Sequence, residues 1–300
     1  MSTATVAAVG LTCKAFLSSG LCSIHVSGLN VLRDALESAS RPAGQGVVTV
    51  CNHISTLDDP LVWGVLPARY YLSSRMTRWA LGASDIIFTN PVFSTFFALG
   101  QTLETFRGQG IYQKSVDVAI QKLNTGNWVH LFGEGKVNQP NTYPRDGLGR
   151  AMLPRFKWGV GRILMEANIP PVVIPMWVTG FDRLMPEGRP FPYKYLPRLG
   201  ARLSVTFGSP IPADEIHAAL AVTEKDPDVD PSAKFASEKQ GGWLGEASRQ
   251  INQENTASRY DEKTYISLIR QKVTAIIHRE VEALGRSVSG DSLADPLPPP

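Results

Sequence analysis

The residues best suited to chemistry lie in one short segment, 52–60, directly after an apolar run that favours a β-strand, Val47–Cys51. His53 and Asp58 are five residues apart in this segment. On one helix their side chains would diverge by about 140°, so they could not pair there. They can pair if His53 lies on the turn after the strand and Asp58 lies at the start of the next helix. A carboxylate–imidazole pair without a neighbouring nucleophile is typical of a general base, which would act on a hydroxyl group of the substrate.

The two residues after Asp58 support this arrangement. Asp59 and Pro60 are typical of the N-cap and the first position of a helix, respectively. Asp59 would then have a structural role, which leaves Asp58 free to orient the imidazole. The alternative is a purely structural turn, in which His53 is a satisfied turn histidine and Asp58 is a second cap.

Two further groups of polar residues follow predicted strands. Glu134 and Lys136 follow the apolar run Trp128–Phe132, and the glycines around Glu134 allow a turn that presents both side chains. Arg107 follows the predicted strand 102–106, and a guanidinium group there is a natural ligand for phosphate. From these residues alone, an exposed polar turn and a surface arginine explain the pattern equally well.

The pattern around these residues predicts the elements that position them. Short β-branched runs alternate with helical patterns, which indicates an α/β fold with a mostly parallel sheet flanked by helices. Strands are predicted at 47–51, 70–73, 102–106, 128–132, 172–178 and 203–207. Helices are predicted at 111–124, at 155–167 and near the C-terminus over 266–284. We expect a single domain over residues 1–300, with the polar segments gathered at the ends of its strands.

Three segments differ in composition from the rest of the chain, which at 300 residues and 43% hydrophobic is not globally disordered. Residues 1–33 contain no Asp or Glu and are predicted to form an N-terminal apolar, membrane-associating segment. Residues 222–258 are polar and lack periodicity, which predicts a disordered insertion. Residues 286–300 end in a proline-rich run and are predicted to form a disordered tail.

Three apolar runs, 10–32, 86–103 and 169–181, bear on membrane association. None is a clean transmembrane helix of about 20 apolar residues, so each is either buried core or part of a monotopic surface. Region 145–202 carries ten Lys and Arg against four Asp and Glu, which suggests a basic face for an anionic partner. The net charge of +3 gives no signature of nucleic-acid binding, and no nucleic-acid partner is expected.

Several other classes of site are disfavoured. The three cysteines form no C-x-x-C pair, which excludes a disulfide scaffold and a cysteine-based zinc site. There is no G-x-S-x-G elbow of a standard serine hydrolase. His130 lies inside an apolar strand and is predicted to be a core histidine rather than a ligand.

Four sequence blocks, in this order, resemble those of the glycerolipid acyltransferase superfamily. They are Asn52-His53…Asp58, Phe106-Arg107-Gly108, Phe132-Gly133-Glu134-Gly135 and Val172-Val173-Ile174-Pro175. Gly133 replaces the proline usual in the third block. Lys136-Val137-Asn138 replaces the Thr-Arg-Ser common in members that use acyl-CoA. This difference favours the branch of the family that moves acyl chains directly between phospholipids and lysophospholipids and remodels cardiolipin.

The resemblance implies a glycerolipid-acyltransferase-like fold and a role for each residue of the blocks. His53 would be the general base on the free hydroxyl of a lysophospholipid, and Asp58 would hold its tautomer. The substrate-binding residues would be Asn52, Arg107, Glu134, Gly135 and Lys136. No cofactor and no metal is implied.

The partners implied by the resemblance are phospholipids and lysophospholipids, with cardiolipin and monolysocardiolipin among them. The protein would lie monotopically on a mitochondrial membrane and face the intermembrane space. Three alternatives stay open from the sequence. They are an acyl-CoA-dependent lysophospholipid acyltransferase, a lipase that uses the same base on water, and a membrane protein that binds lipid without chemistry.

Overall fold

A computed structural model describes residues 1–193, 196–223, 225–230, 241–254 and 262–294. Its described strands are β1 (Ser23–Ser27), β2 (Val47–Cys51), β3 (Trp79–Ala83), β4 (Thr102–Thr105), β5 (Trp128–Phe132), β6 (Val172–Thr179) and β7 (Arg202–Phe207). They form one seven-stranded sheet in the order β1-β7-β6-β2-β5-β3-β4. Every neighbouring pair is parallel except β6 and β7, which are antiparallel. The predicted fold class, α/β with a mostly parallel sheet flanked by helices, is confirmed.

The centre of the sheet brings the predicted site segments together. Strand β2 pairs with β5 on one side and β6 on the other, so that Cys51 lies opposite Phe132 and Met176. All five residues of β2 are buried, as expected for a central parallel strand covered on both faces. Because β2 and β5 end level with each other, the turns that carry His53 and Glu134 begin side by side.

The helices of the described chain cover this sheet. They are α1 (Ser2–Ser18), α2 (Leu29–Glu37), α3 (Asp58–Leu61), α4 (Ser84–Ile87), α5 (Pro91–Leu99), α6 (Lys114–Asn124), α7 (Gly159–Met165), α8 (Phe181–Leu184), α9 (Ala213–His217), α10 (Gly242–Glu254) and α11 (Glu262–Ser289). Helix α11 packs on α7 and β6 with a stripe of fully buried aliphatic side chains, among them Ile269, Val273 and Ile277. The predicted C-terminal helix is confirmed.

One strand prediction is wrong and two strands were missed. Residues 70–73 lie largely in a 3₁₀ turn, Ala68–Leu72, rather than in a strand. Two adjacent tyrosines are both buried there, and Tyr71 donates its hydroxyl hydrogen to the carbonyl of Trp63 at 2.7 Å. In a strand, neighbouring side chains would point to opposite faces. The missed strands lack a continuous apolar run: β1 contains two Ser and one His, and β3 contains Ala and Gly, which have low strand propensity.

The two predictions of disorder are wrong for the parts that the structure describes. Residues 222–258 include α10, whose Leu244 is fully buried and whose Trp243 donates its indole N–H to the carbonyl of Leu164 at 2.8 Å. Residues 286–300 include the end of α11, and Leu293 is only 1% exposed. Residues 224, 231–240, 255–258 and 295–300 lie outside the described residues.

The N-terminal segment 1–33 forms α1, β1 and the start of α2. Cys13 and Leu17 of α1 are buried, and Lys14 donates to the carbonyls of Gly64 and Leu66 at 3.2 and 2.9 Å. Part of this segment therefore belongs to the protein core, and its membrane association stays a prediction. None of the helices in the described ranges has the length and apolarity needed to span a bilayer.

Candidate active site

His53 and Asp58 form the predicted pair. The Nδ1 atom of His53 lies 2.9 Å from Oδ2 of Asp58. His53 occupies the turn directly after β2, and Asp58 is the first residue of α3, as the spacing predicted. The carboxylate accepts from Nδ1, so the ring proton lies on Nδ1 and Nε2 is left as the basic nitrogen. Nε2 forms no hydrogen bond with any residue in the described part of the chain, and His53 lines a large cleft.

Asp58 is fully buried, and one oxygen carries all of its hydrogen bonds. Besides His53, Oδ2 accepts the backbone N–H groups of Ile54 and Ser55 at 2.7 and 2.8 Å. Oδ1 is buried and has no hydrogen-bond partner among the described residues. Burial raises the pKa of Asp58, while the hydrogen bond from His53 acts in the opposite direction. The carboxylate thus holds both the imidazole and the backbone turn that carries it.

Stacking fixes the plane of the imidazole. The His53 ring lies on the ring of Phe132 with centroids 4.0 Å apart and an angle of 19° between planes. Phe132 is the last residue of β5, the strand next to β2. The ring of His53 is therefore held by a hydrogen bond at one edge and by an aromatic face below, which leaves its free edge on the cleft.

Glu134 ties the same histidine to the β5 turn. Its Oε1 accepts the backbone N–H of His53 at 2.8 Å, and its Oε2 accepts the amide of Asn138. The backbone N–H of Asn138 in turn donates to the carbonyl of His53 at 2.7 Å. Glu134 is 2% exposed, and burial raises its pKa to about 8. Both carboxyl oxygens of Glu134 therefore hold the turn of His53, and its contact with a substrate stays a prediction.

Asn52 has a similar positioning role. It is 1% exposed, its amide donates to the carbonyl of Val178 at 3.0 Å, and its oxygen accepts the N–H of Val178 at 2.9 Å. These bonds attach the start of the catalytic turn to β6. Asn52 as a substrate ligand stays a prediction. Its partner could not be predicted from a local pattern, because Val178 lies 126 positions away.

Asp59 has a structural role, but a different one from the predicted helix cap. Its carboxylate accepts from the indole N–H of Trp63 and forms a two-point ion pair with Arg78, at 2.7 and 2.5 Å. Arg78 holds the pKa of Asp59 below its usual range despite burial. Asp59 is thus occupied by Arg78 and Trp63, and Asp58 alone serves His53.

The remaining predicted residues share the cleft with His53. The cleft has a volume of about 1730 Å³, and its walls include His53, Arg107, Gly135, Lys136, Ile87 and Phe97. The Arg107 guanidinium is held at the rim by both carboxylate oxygens of Asp85, which lies in α4. Lys136 is exposed, and its ammonium group forms no hydrogen bond or ion pair with the described residues, although its carbonyl accepts the amide of Asn138 at 3.4 Å. The cleft therefore combines the free edge of His53, several cations that include Arg107 and Lys136, and apolar walls, which suits an amphiphile with an anionic head.

Two further residues in and after β5, His130 and Gly133, have structural roles. His130 is buried, and its Nδ1 is hydrogen-bonded to Thr49 Oγ1 at 2.8 Å. Burial lowers the pKa of His130 to about 3, as expected for the predicted core histidine. Gly133 packs against the ring of Phe156, and a Cβ atom there would lie 2.5 Å from that ring. No group of three or more His, Cys, Asp or Glu in the described ranges is arranged to hold a metal ion.

Comparison with known families places this site in a class. A family model described as Acyltransferase matches residues 23–179, which is more than half of the chain and includes the turns of His53, Arg107 and Glu134. The chain therefore belongs to the acyltransferase family and is an acyltransferase.

Its relatives narrow the class. The protein named taffazin from Dictyostelium discoideum is 35% identical over 69% of this chain and 68% of its own length. Tafazzin from Drosophila melanogaster is 39% identical over 57% of this chain and 42% of its own. The resemblance predicted from the sequence blocks is confirmed, and within the acyltransferases the chain groups with the tafazzins.

A relative with a different name is equally similar. N-acylphosphatidylethanolamine synthase from Arabidopsis thaliana is 39% identical over 58% of this chain and 59% of its own. The matched region spans about two thirds of the Dictyostelium protein and a smaller share of the Drosophila and Arabidopsis proteins. Among solved structures, a 1-acyl-sn-glycerophosphate acyltransferase from Thermotoga maritima is 17% identical, with a TM-score of 0.45 over 86% of this chain and 81% of its own.

Proposed function

We propose that the protein is a coenzyme A-independent transacylase, which moves acyl chains between phospholipids and lysophospholipids, with cardiolipin and monolysocardiolipin among its substrates. The observation that carries the proposal is the His53–Asp58 pair, whose free Nε2 edge lies on a cleft lined by apolar side chains and cations. The names of the tafazzin relatives support the same class of reaction. We expect the protein to act on a mitochondrial membrane that faces the intermembrane space.

The geometry supports a two-step exchange. Nε2 of His53 takes the proton of a lysophospholipid hydroxyl, and that oxygen attacks the acyl carbonyl of a second lipid. The tetrahedral intermediate then expels the glycerol oxygen of the donor, which receives the proton back from the imidazolium. One ester bond forms and one breaks, so the free-energy change is near zero. The charge on Asp58 stabilises the imidazolium between the two steps.

A lipid substrate also needs an apolar route to the base. Helix α5 has no buried residue, and its Val92, Phe93 and Phe96 are 75%, 51% and 45% exposed. Phe96 also lines the cleft, as does the exposed Ile86 of α4. The cleft therefore opens beside an apolar surface, which supports entry of acyl chains from a membrane and fits the predicted monotopic association of 86–103.

The test is transfer without nucleotides. Purified protein is incubated with a phospholipid that carries an isotope-labelled acyl chain and with an unlabelled lysophospholipid, after removal of all coenzyme A. We expect label in both lipids by mass spectrometry, in both directions, and none with His53→Ala. Transfer that requires added acyl-CoA would replace the transacylase with the acyl-CoA-dependent alternative. Release of free fatty acid alone would indicate a lipase, and binding without turnover would indicate a lipid-binding protein.

A second acceptor is favoured by one observation, the 39% identity with N-acylphosphatidylethanolamine synthase. The same base could take a proton from an amine, in which case the product would be an amide rather than an ester. Phosphatidylethanolamine is therefore included as a second acceptor in the same incubation. An N-acylated product that forms faster than the lysophospholipid product would identify the amine as the preferred acceptor.

A further inference from the structure

Residues 155–157 lie just before α7, in a segment without regular secondary structure, and their burial alternates as it does in an extended chain. Arg155 and Lys157 are exposed, and Phe156 between them is buried at 5%. In extended chain, residues two apart point to the same side. Both cations line the cleft that holds His53, and Phe156, which contributes to the same wall, packs on Gly133. The predicted helix 155–167 starts later, at Gly159, so this segment is free to present two side chains to the cleft.

Lys157 lies directly against the turn that holds the base. Its backbone N–H donates to the carbonyl of Gly133 at 2.8 Å. A Cβ atom built on Gly135 would lie 3.0 Å from Cγ of Lys157, so the lysine stem crosses the turn at that glycine. This contact places the ammonium group on the same turn as Lys136.

These cations differ from Arg78 and Arg107 in having no ion-pair partner among the described residues. Arg155, Lys157 and Lys136 form no ion pair with residues in the described ranges, whereas Arg78 is paired with Asp59 and Arg107 with Asp85. Two other carboxylates of the same cleft are paired, Asp228 with Lys272 and Glu282 with Arg286, whereas the exposed Glu187 forms no ion pair with a described residue. The three unpaired cations outnumber this carboxylate, and an excess of positive charge in a cleft with apolar walls attracts an anion.

The position of this group separates it from Arg107. Arg107 follows β4, and Lys157 and Lys136 lie at the end of β5, with β3 between these strands. Two strand spacings amount to about 10 Å. Side chains that leave the sheet this far apart are better placed for two phosphate groups than for one.

We propose that Arg155 and Lys157, together with Lys136, form a second anion-binding subsite for the phosphate of the second lipid, while the Nη1 edge of Arg107, which Asp85 leaves free, binds the phosphate of the first lipid. The proposal rests on the proposed function, because only an exchange between two lipids needs two head groups beside one base. It reassigns Lys136 from the Arg107 subsite to the second one.

Binding stoichiometry tests this without turnover. The His53→Ala protein is titrated by calorimetry with dihexanoyl phosphatidylglycerol, a lipid short enough to stay monomeric. We expect two equivalents to bind to this parent and one to the variant that also carries Arg155→Gln and Lys157→Gln. The matched control is Lys114→Gln with Lys225→Gln, which removes two exposed charges outside the cleft and should leave two equivalents. Lys157→Arg, which keeps the charge, should also leave two.

Three results would overturn the proposal. They are a single equivalent in the parent, two equivalents after loss of Arg155 and Lys157, or loss of an equivalent in the control. Inorganic phosphate is titrated in parallel, and an affinity equal to that of the lipid would indicate a site for free phosphate rather than a head group. In the otherwise wild-type protein, the double variant should raise the KM for one lipid about tenfold or more and leave kcat unchanged. Failure of transfer itself would instead count against the proposed function, since binding is measured in protein that does not turn over.

Discussion

His53 contributes one atom to the proposed chemistry, the ring nitrogen Nε2. His53→Ala should lower transfer by about 10²–10⁴-fold, the usual cost of losing a general base. The free energy of unfolding should change little, because His53 lies on a turn at the edge of the cleft. The measurement is initial transfer rate together with thermal melting. His25→Ala, an exposed histidine on β1, is the control and should keep the wild-type rate. A wild-type rate in His53→Ala would exclude the base.

The variant Asp58→Asn tests separately the two roles of Asp58, which are to orient the His53 ring and to supply a negative charge beside it. Oδ2 alone accepts the three hydrogen bonds to Asp58, so an amide oxygen in its place can keep His53, Ile54 and Ser55 in position. The amide has no negative charge to stabilise the imidazolium, and we expect a loss in kcat of roughly 10²-fold or more with little change in KM. Asp58→Ala should lose the same activity and melt at a lower temperature. Equal rates in wild type and Asp58→Asn would show that the carboxylate only orients the ring.

At the scale of elements, the buried carboxyl group of Glu134, in the turn after β5, should make the free energy of unfolding depend on pH. The folded state keeps the proton of Glu134 up to about pH 8, whereas the unfolded chain loses it near 4.5. Between these values the folded state binds more protons, so the free energy of unfolding falls as the pH rises. The slope from this one group approaches about 1.4 kcal/mol per pH unit. Urea denaturation from pH 5 to pH 8 measures it.

Glu134→Gln should flatten this slope, because an amide does not titrate. Glu104→Gln is the control, since Glu104 is exposed on β4 and should leave the slope unchanged. Parallel stability curves for wild type and Glu134→Gln would contradict the assignment of the slope to Glu134.

The contact between Gly133 and Phe156 predicts the outcome of restoring the residue usual in the family. A Cβ atom at position 133 would lie 2.5 Å from the Phe156 ring, so Gly133→Ala and Gly133→Pro must displace that ring. We expect a loss of about 1–3 kcal/mol in the free energy of unfolding, as for overpacked cores. Gly159→Ala is the control, since a Cβ there would meet no atom within 4 Å. Unchanged stability of Gly133→Ala in urea would show that Phe156 moves without cost.

At the scale of the whole molecule, the exposed apolar side chains beside the cleft predict monotopic binding. Vesicles that contain anionic lipids should carry the protein to the top of a density gradient, and high salt should release only part of it, because apolar insertion is not screened. Phe93→Ser with Phe96→Ser should release more, while Phe191→Ser, also exposed but outside the cleft walls, serves as comparison. Complete release of wild type by salt would exclude insertion.

Much of this molecule could be predicted from its sequence because the central strands are continuous runs of mostly apolar residues with high strand propensity. The runs Val47–Cys51 and Trp128–Phe132 have the predicted bounds, and the chemistry lies where they end. The weak strands β1 and β3 and the helix α10 could not be predicted, since their order comes from tertiary contacts such as the burial of Leu244.

The site shows the same division. His53 and Asp58 were predictable because a local turn brings them together, and Asp58 N–H even closes that turn onto Ser55. The roles of Asn52 and Glu134 depend on partners on other strands, which no local pattern reveals. Arg155 and Lys157 could not be predicted as site residues, because Phe156 continues the apolar stripe of Val160 and Ile163 and so predicts a helix from 155 onward, whereas α7 begins at Gly159.

The hydrogen bonds around His53 also determine how this fold can recombine. The N–H of His53 is held by Glu134, 81 positions away, and its carbonyl by Asn138. Residues 52–58 and 134–138 are thus joined by hydrogen bonds to both the N–H and the carbonyl of His53. We expect the two segments to work best when both come from the same parent protein. A chimera of two relatives with a crossover between these two segments would combine the His53 turn of one parent with the Glu134 turn of the other. Crossovers before β2 or after Asn138 would leave these hydrogen bonds intact, so the natural unit of exchange is the whole stretch from β2 through the turn after β5.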